Sequence, residues 1–261
     1  MNRNWIVYPR PRPASALRLF CFPYSGASPH VFYPWLDEFP DEVEIAPIQL
    51  PGHGARVYEP PGDDLPALIS SLCRALVLHI SGPFAFFGHS LGALVCYEVA
   101  RELRRSGHPV PCRIFAAGRQ APHIATKFAS VRELSRSEFV EVLRRFQGTP
   151  ETLLRNPEML DLFLPVIRAG FLLNESYIYR DEPPLACAIS TFGGLDDDWV
   201  EQGDLLAWAQ HTAGPFSARL FPGNHFFIHS AQSPLIRAIC DDLLPAPRLQ
   251  AAPNSEATDG G

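Results

Sequence analysis

Between Leu17 and Leu244 short apolar runs alternate with longer stretches of helical period, and this alternation constrains the fold more than any other feature. The runs LRLFCF (17–22), VEIAPIQL (43–50), PFAFFG (83–88), CRIFAAG (112–118), LACAISTFGG (185–194) and FSARLFPG (216–223) read as buried strands. Helical period appears in DLPALISSLCRALVLHI (64–80) and in LGALVCYEVARELRRSG, closed by Gly107. It returns in LLAWAQH (205–211) and in SPLIRAICDDLL (233–244), where Ser233 as cap and Pro234 at the first helical position form a start signal. Strands alternating with helices predict an α/β fold with a mostly parallel central sheet and helices on both faces.

One segment breaks the rhythm. Residues 121–184 hold no strand pattern but several helix starts: a capping box at Ser135–Glu138, then Thr149-Pro150 and Asn156-Pro157. Pro165 is expected to break or kink the last of these helices. The segment reads as a helical insertion between two strands, a lid. Residues 1–244 are then one domain carrying that lid, and the Pro/Gly-rich stretch 245–261 is expected to be a disordered tail. There is no internal repeat.

Composition removes several function classes. The net charge is −6, which leaves no basic footprint for a nucleic acid. Lys127 is the only lysine and sits in TKFAS, outside any phosphate-binding context, so nucleotide-driven phosphoryl transfer is set aside. The six cysteines (Cys21, Cys73, Cys96, Cys112, Cys187, Cys240) show no CxxC pair and no metal-ligand spacing. The opening MNRNWIVYPRPRPAS lacks the apolar stretch of a secretory signal. No run approaches the ~20 apolar residues of a membrane span. The expectation is a reduced, cytoplasmic protein, with no membrane association and a monomer as the default.

GHSLG at Gly88–Gly92 is a GxSxG pattern, weak alone and strong in context. A serine on a tight strand-to-helix turn needs small flanking residues, and here PFAFF enters as a strand, Gly88, Gly92 and Ala93 keep the turn uncrowded, and a helix follows at once. A serine hydroxyl attacks only when a base takes its proton and a third group orients that base. In this arrangement the acid and then the histidine follow the serine in chain order. GGLDDDWV follows one strand and PGNHFFIH another, so both lie at carboxyl ends on the rim that holds Ser90. Among Asp196, Asp197 and Asp198 the choice is Asp197, the third residue after Gly194, with Asp196 in reserve. His225, after the turn residues Pro222-Gly223-Asn224, is the expected base; His229 reads as a helix-start or packing residue. Four-residue spacing would also suit two metal ligands on a helix, but no third ligand is evident, so no metal is expected. An oxyanion would be met by the backbone N–H of Leu91, just after the serine, and by that of Ser25 in FPYSGAS, where small residues allow close approach.

Taken together, CFPYSGAS, QLPGHGAR, FFGHSLGALVCYEVA, GGLDDDWV and LLAWAQHTAGPFSARLFPGNHFF resemble the type II thioesterases that accompany polyketide synthases and nonribosomal peptide synthetases. The resemblance runs from about Leu17 to Leu244. It implies an α/β-hydrolase fold with a helical lid, and hydrolysis of acyl thioesters on the phosphopantetheine arm of acyl or peptidyl carrier proteins. It places Ser90 on the nucleophile, Asp197 on the acid, His225 on the base, and Ser25 and Leu91 on the oxyanion donors. No cofactor is implied, since phosphopantetheine arrives with the substrate. Two departures stand out: Tyr24-Ser25-Gly26-Ala27 replaces an HAGG-like loop, which bears on entry to the site. Gly52-His53-Gly54-Ala55-Arg56 replaces a GREDR-like segment, read as a loss of acidic surface that could change partner choice. A carboxylesterase or lipase acting on oxoesters, an acyltransferase and a non-catalytic binding module remain open alternatives. The lid run FLPVIRAGFLL (163–173) either lines an acyl chamber or packs as core.

Overall fold

The computed structural model describes residues 5–244, so the stretch expected to be a disordered tail, 245–261, lies outside the described residues. In chain order the strands are β1 (Leu17–Phe22), β2 (Val43–Pro47), β3 (Phe84–His89), β4 (Arg113–Ala117), β5 (Ala188–Gly194) and β6 (Phe216–Phe221). The α-helices are α1 (Leu65–Val77), α2 (Leu91–Arg105), α3 (Arg136–Phe146), α4 (Glu151–Leu154), α5 (Pro157–Glu175), α6 (Gln202–Leu206), α7 (Phe227–Ser230) and α8 (Gln232–Leu243). All six strands join one parallel sheet in the order β2-β1-β3-β4-β5-β6.

The strand runs are continuously apolar, yet the period of two still sorts their side chains. Phe20, Phe22, Phe84 and Phe86 face one side of the sheet and pack with α1 and α2. Leu19, Cys21, Ala85 and Phe87 face the other, against α8 and a nine-residue 3-10 helix at Pro29–Asp37. Burying both faces is what a parallel sheet requires. Because β1 lies between β2 and β3, the chain leaves β1 and β3 in different directions. The crevice at such a switch point is where an open α/β sheet places its ligand.

Several local expectations are corrected. The run 43–50 ends as a strand at Pro47; Ile48 instead bridges Ile6 in an antiparallel pair. Helix α8 starts before Ser233, with Ala231 in the cap position. The one-turn helix α7 leads straight into it, Ala231 N–H bonding Phe227 C=O at 2.8 Å and Leu235 N–H bonding Ala231 C=O at 3.0 Å. Pro150, and not Thr149, occupies the cap of α4. Helix α5 runs unbroken through Pro165, which lies on its exposed face, where water can take the carbonyl left without a partner. The Pro29–Asp37 helix has no counterpart in the sequence reading.

Between β4 and β5 the chain forms α3, α4 and α5 with no strand. The Ser135–Glu138 capping box is present, and Asn156 caps α5 by accepting from Met159 N–H. This lid has its own apolar cluster, including Phe139, Leu143, Leu160, Leu164 and Ile167. Among the described residues no helix is long and apolar enough to cross a membrane, and all six cysteines are free.

Candidate active site

Ser90 sits between the end of β3 and the first residue of α2 with φ 54° and ψ −114°, a conformation L-residues rarely adopt. Such strain costs on the order of 1–3 kcal/mol and persists only where the surroundings enforce it. Here they do. A Cβ on Gly92 would lie 2.1 Å from the Phe22 carbonyl oxygen, and one on Gly88 would lie 2.3 Å from that of Gly92. The Ser90 N–H bonds the Ala117 carbonyl at the end of β4 at 2.8 Å, which pins the turn. Leu91, as the first helical residue, has an N–H without an intrahelical acceptor. At the neighbouring end of β1, Ala27 N–H bonds Tyr24 C=O at 3.0 Å. Gly26 in that turn has φ 79°, which needs glycine. This leaves the Ser25 N–H outside the turn's own bond.

The acid and the histidine come from β5 and β6. Gly194 is packed so tightly that a Cβ would meet the Gly223 and Asn224 carbonyl oxygens at 2.4 Å. Leu195 N–H bonds Phe221 C=O at 2.8 Å and Asp196 N–H bonds Gly223 C=O at 2.9 Å, so the two loops run side by side. Asp197 then turns inward with a fully buried side chain, while Asp196 and Asp198 stay exposed. Its Oδ1 accepts from Trp199 N–H at 2.9 Å and Val200 N–H at 3.2 Å. Its Oδ2 accepts from His225 Nδ1 at 2.8 Å. With Nδ1 donating, His225 Nε2 carries the free lone pair. Ser90 and His225 line one cavity with Ser25 and Leu91. Among the described residues no hydrogen bond links Ser90 Oγ to His225.

The lid closes this cavity. A Cβ on Gly148 would fall within 1.9 Å of the Phe226 ring, and Asn224 Nδ2 donates to Gln147 Oε1 at 2.9 Å. Phe146 stacks on Trp199 at 4.6 Å, and Phe171 meets Phe146 edge-on at 5.2 Å. Of the lid run 163–173, Ile167 and Phe171 line the cavity, whereas Leu164 is buried in the insertion's own apolar cluster. The space enclosed is small, about 40 Å³.

One feature escaped the sequence reading, and two departures it noted take a different place in the structure. His89 is fully buried with its ring 5.2 Å from that of His225, and burial first, then the neighbouring His225 and His229, keeps it neutral by lowering its pKa. Its position next to Ser90 in GHSLG was the available signal. Tyr24 donates or accepts a 3.0 Å hydrogen bond with His229 Nε2 and lines the cavity. The segment Gly52–Arg56, read as altered surface, is largely interior, with Ala55 alone exposed. His53 and Arg56 are both buried; Arg56 pairs with Glu59 at 2.8 Å and stacks 3.8 Å over Trp5. Lys127 spans Glu201 and Asp204 at 2.8 and 3.0 Å, tying the start of the insertion to α6. Among the described residues no group of three or more His, Cys, Asp or Glu could hold a metal ion.

Residues 17–243 match the family described as Thioesterase domain. The gramicidin S biosynthesis protein GrsT of Aneurinibacillus migulanus is 38% identical over 250 residues, covering 96% of both chains. RedJ, a thioesterase from the prodiginine biosynthetic pathway of Streptomyces coelicolor, is 36% identical, with a TM-score of 0.82 over 89% of this chain and 91% of its own. The type II thioesterase BorB from the borrelidin biosynthetic cluster is 32% identical, with a TM-score of 0.83 over 91% of this chain and 97% of its own. This chain belongs to the thioesterase family, as a thioester hydrolase of the serine type.

Proposed function

We propose that this protein is a type II thioesterase that hydrolyses acyl groups from the phosphopantetheine arm of acyl or peptidyl carrier proteins of a modular synthase. The observation that carries the reading is the buried Asp197–His225 hydrogen bond of 2.8 Å beside a serine on a strained strand-to-helix turn. His225 Nε2 takes the Ser90 hydroxyl proton as Oγ bonds to the thioester carbon. The oxyanion is met by the N–H groups of Ser25 and Leu91. The C–S bond breaks, and His225 returns the proton to the departing pantetheine thiolate. Water, deprotonated by the same His225, then adds to the acyl-Ser90 ester, and collapse releases the free acid and restores the serine. Asp197 stays ionised and holds the imidazole in the working tautomer. Neither half of the cycle needs a metal or an organic cofactor.

The test is a panel of acyl-loaded carrier proteins, with released acid and free holo-carrier followed by mass spectrometry, beside matched oxoesters. Release from the carrier thioesters in preference to the oxoesters is expected. Preference for the oxoester would make the enzyme a carboxylesterase, and transfer to an added alcohol or amine in place of water would make it an acyltransferase. Equal labelling of wild type and Ser90→Ala by a fluorophosphonate probe would remove Ser90 from the reaction.

A further inference from the structure

A second cavity lies behind the first. It shares Tyr24, Ser25 and Leu91 with the cavity that holds Ser90 and His225, and reaches to the Gly52–Arg56 segment on the other side. What separates the two is the contact of α5 with the β1 loop. A Cβ on Gly170 would meet Ser25 at 2.8 Å, and Ile167 lies within 2.5 Å of where one would stand on Gly26. At Gly170 no side chain of the helix stands between it and Ser25, while at Gly26 the Ile167 side chain fills the contact. The inner cavity is about 20 Å³, enough for one small group.

Its walls are mostly apolar, with Leu50, Leu68, Val166 and Leu173 among them, and its polar side chains are those of His53, Tyr24 and Ser25. His53 is only 9% exposed. Its Nδ1 lies 2.9 Å from the Pro51 carbonyl oxygen, which can only accept, so Nδ1 carries the proton. Nε2 is then a lone-pair acceptor, and it has no hydrogen-bond partner among the described residues. Burial, the main influence, and the Arg56 charge lower the pKa of His53, which keeps the ring in this neutral form. A buried acceptor without a donor costs on the order of 1–3 kcal/mol and so favours a ligand that supplies one.

We propose that the inner cavity is a subsite for the acyl group, in which His53 Nε2 selects thioesters whose chain carries a hydroxyl. The inference rests on the thioesterase reading above and adds the chemical class of the acyl group. A hydroxyl is the donor that fits. An ammonium group would be stripped of water between leucine and valine side chains, and a carboxylate or ketone would set one acceptor against another. Selection of this kind works through the unmet acceptor, which penalises the plain chain as well as rewarding the hydroxylated one.

Hydrolysis of hexanoyl, 3-hydroxyhexanoyl, 5-hydroxyhexanoyl and 3-oxohexanoyl carrier-protein thioesters by wild type, His53→Leu and His53→Gln tests this, with a thermal melt of each variant. For wild type, kcat/KM is expected to be about tenfold higher for at least one hydroxyacyl substrate than for the hexanoyl and 3-oxo forms. His53→Leu should erase that ratio, raising kcat/KM for the hexanoyl thioester as it lowers that for the hydroxyacyl one, and His53→Gln, which keeps an acceptor, should preserve part of it. If His53→Leu melts lower but scales all four substrates alike, Nε2 meets a buried water only and the proposal falls. An unselective wild type overturns it as well. Absence of hydrolysis of every thioester by wild type would instead bring down the thioesterase reading, and the inference with it.

Discussion

Replacing Ser90 with Ala is expected to lower kcat/KM for a carrier-bound thioester by at least about a thousandfold, since it removes the hydroxyl that forms the acyl-enzyme. Ser90→Ala combined with His225→Ala should cost little more than either alone, because the two act as a unit. Asp197→Asn is the subtler probe. Its side-chain oxygen can still receive the Trp199 and Val200 N–H groups, so the loop should keep its shape. The amide nitrogen would then face His225 Nδ1, forcing the proton onto Nε2 and removing the base. A fall of about 10⁴-fold in kcat with an unchanged melting temperature is expected. An Asp196→Asn variant, altered at an exposed carboxylate, should retain wild-type kinetics.

At the level of elements, the strand-to-helix turn and the lid make separate predictions. Gly92→Ala would drive a methyl into the Phe22 carbonyl oxygen and should destabilise the fold by about 1–3 kcal/mol in urea unfolding. Phe171→Ala removes a ring packed between Phe139 and Phe146 and should shift acyl preference toward longer chains in competition assays. Unaltered preference would exclude the lid from the acyl site. The six strands and the turn around Ser90 were legible because apolar runs, small residues and chain order depend on local sequence. Other features were not. Asp197 was named from its distance after Gly194, but what turns it inward, Gly194 packing against Gly223 and Asn224, is a contact between two loops. The start of α8 depends on α7 feeding into it, which no cap residue announces. The inner cavity exists only where α5 meets Ser25 and Gly26, partners far apart in the chain.

On the scale of the whole molecule, buried neutral histidines tie stability to pH. Burial first, then the facing His123 and Arg101, push His211 down to about 4, and its Nδ1 bonds the Tyr97 hydroxyl at 3.0 Å. The unfolded chain binds that proton near 6.5, so on acidification it takes up the proton before the native state does. Stability is therefore full above about 6.5 and declines as pH falls toward about 4. Melting temperature should drop over that window, and His211→Gln should flatten part of the drop in a scan of thermal melts against pH. Net charge raises a second matter, because a chain at −6 would have to rely on local contacts to dock any acidic partner. The same scarcity of lysine that produces this charge makes the protein unusual to work with. Lys127 is the only side-chain amine in the sequence, and it stands where the insertion is tied to α6 through Glu201 and Asp204. Its hydrogen bonds to Glu201 and Asp204 raise its pKa, so an amine-reactive dye would couple there at alkaline pH and otherwise only at the chain's amino terminus. One covalent fluorophore could thus be seated where the insertion meets α6 without any mutation.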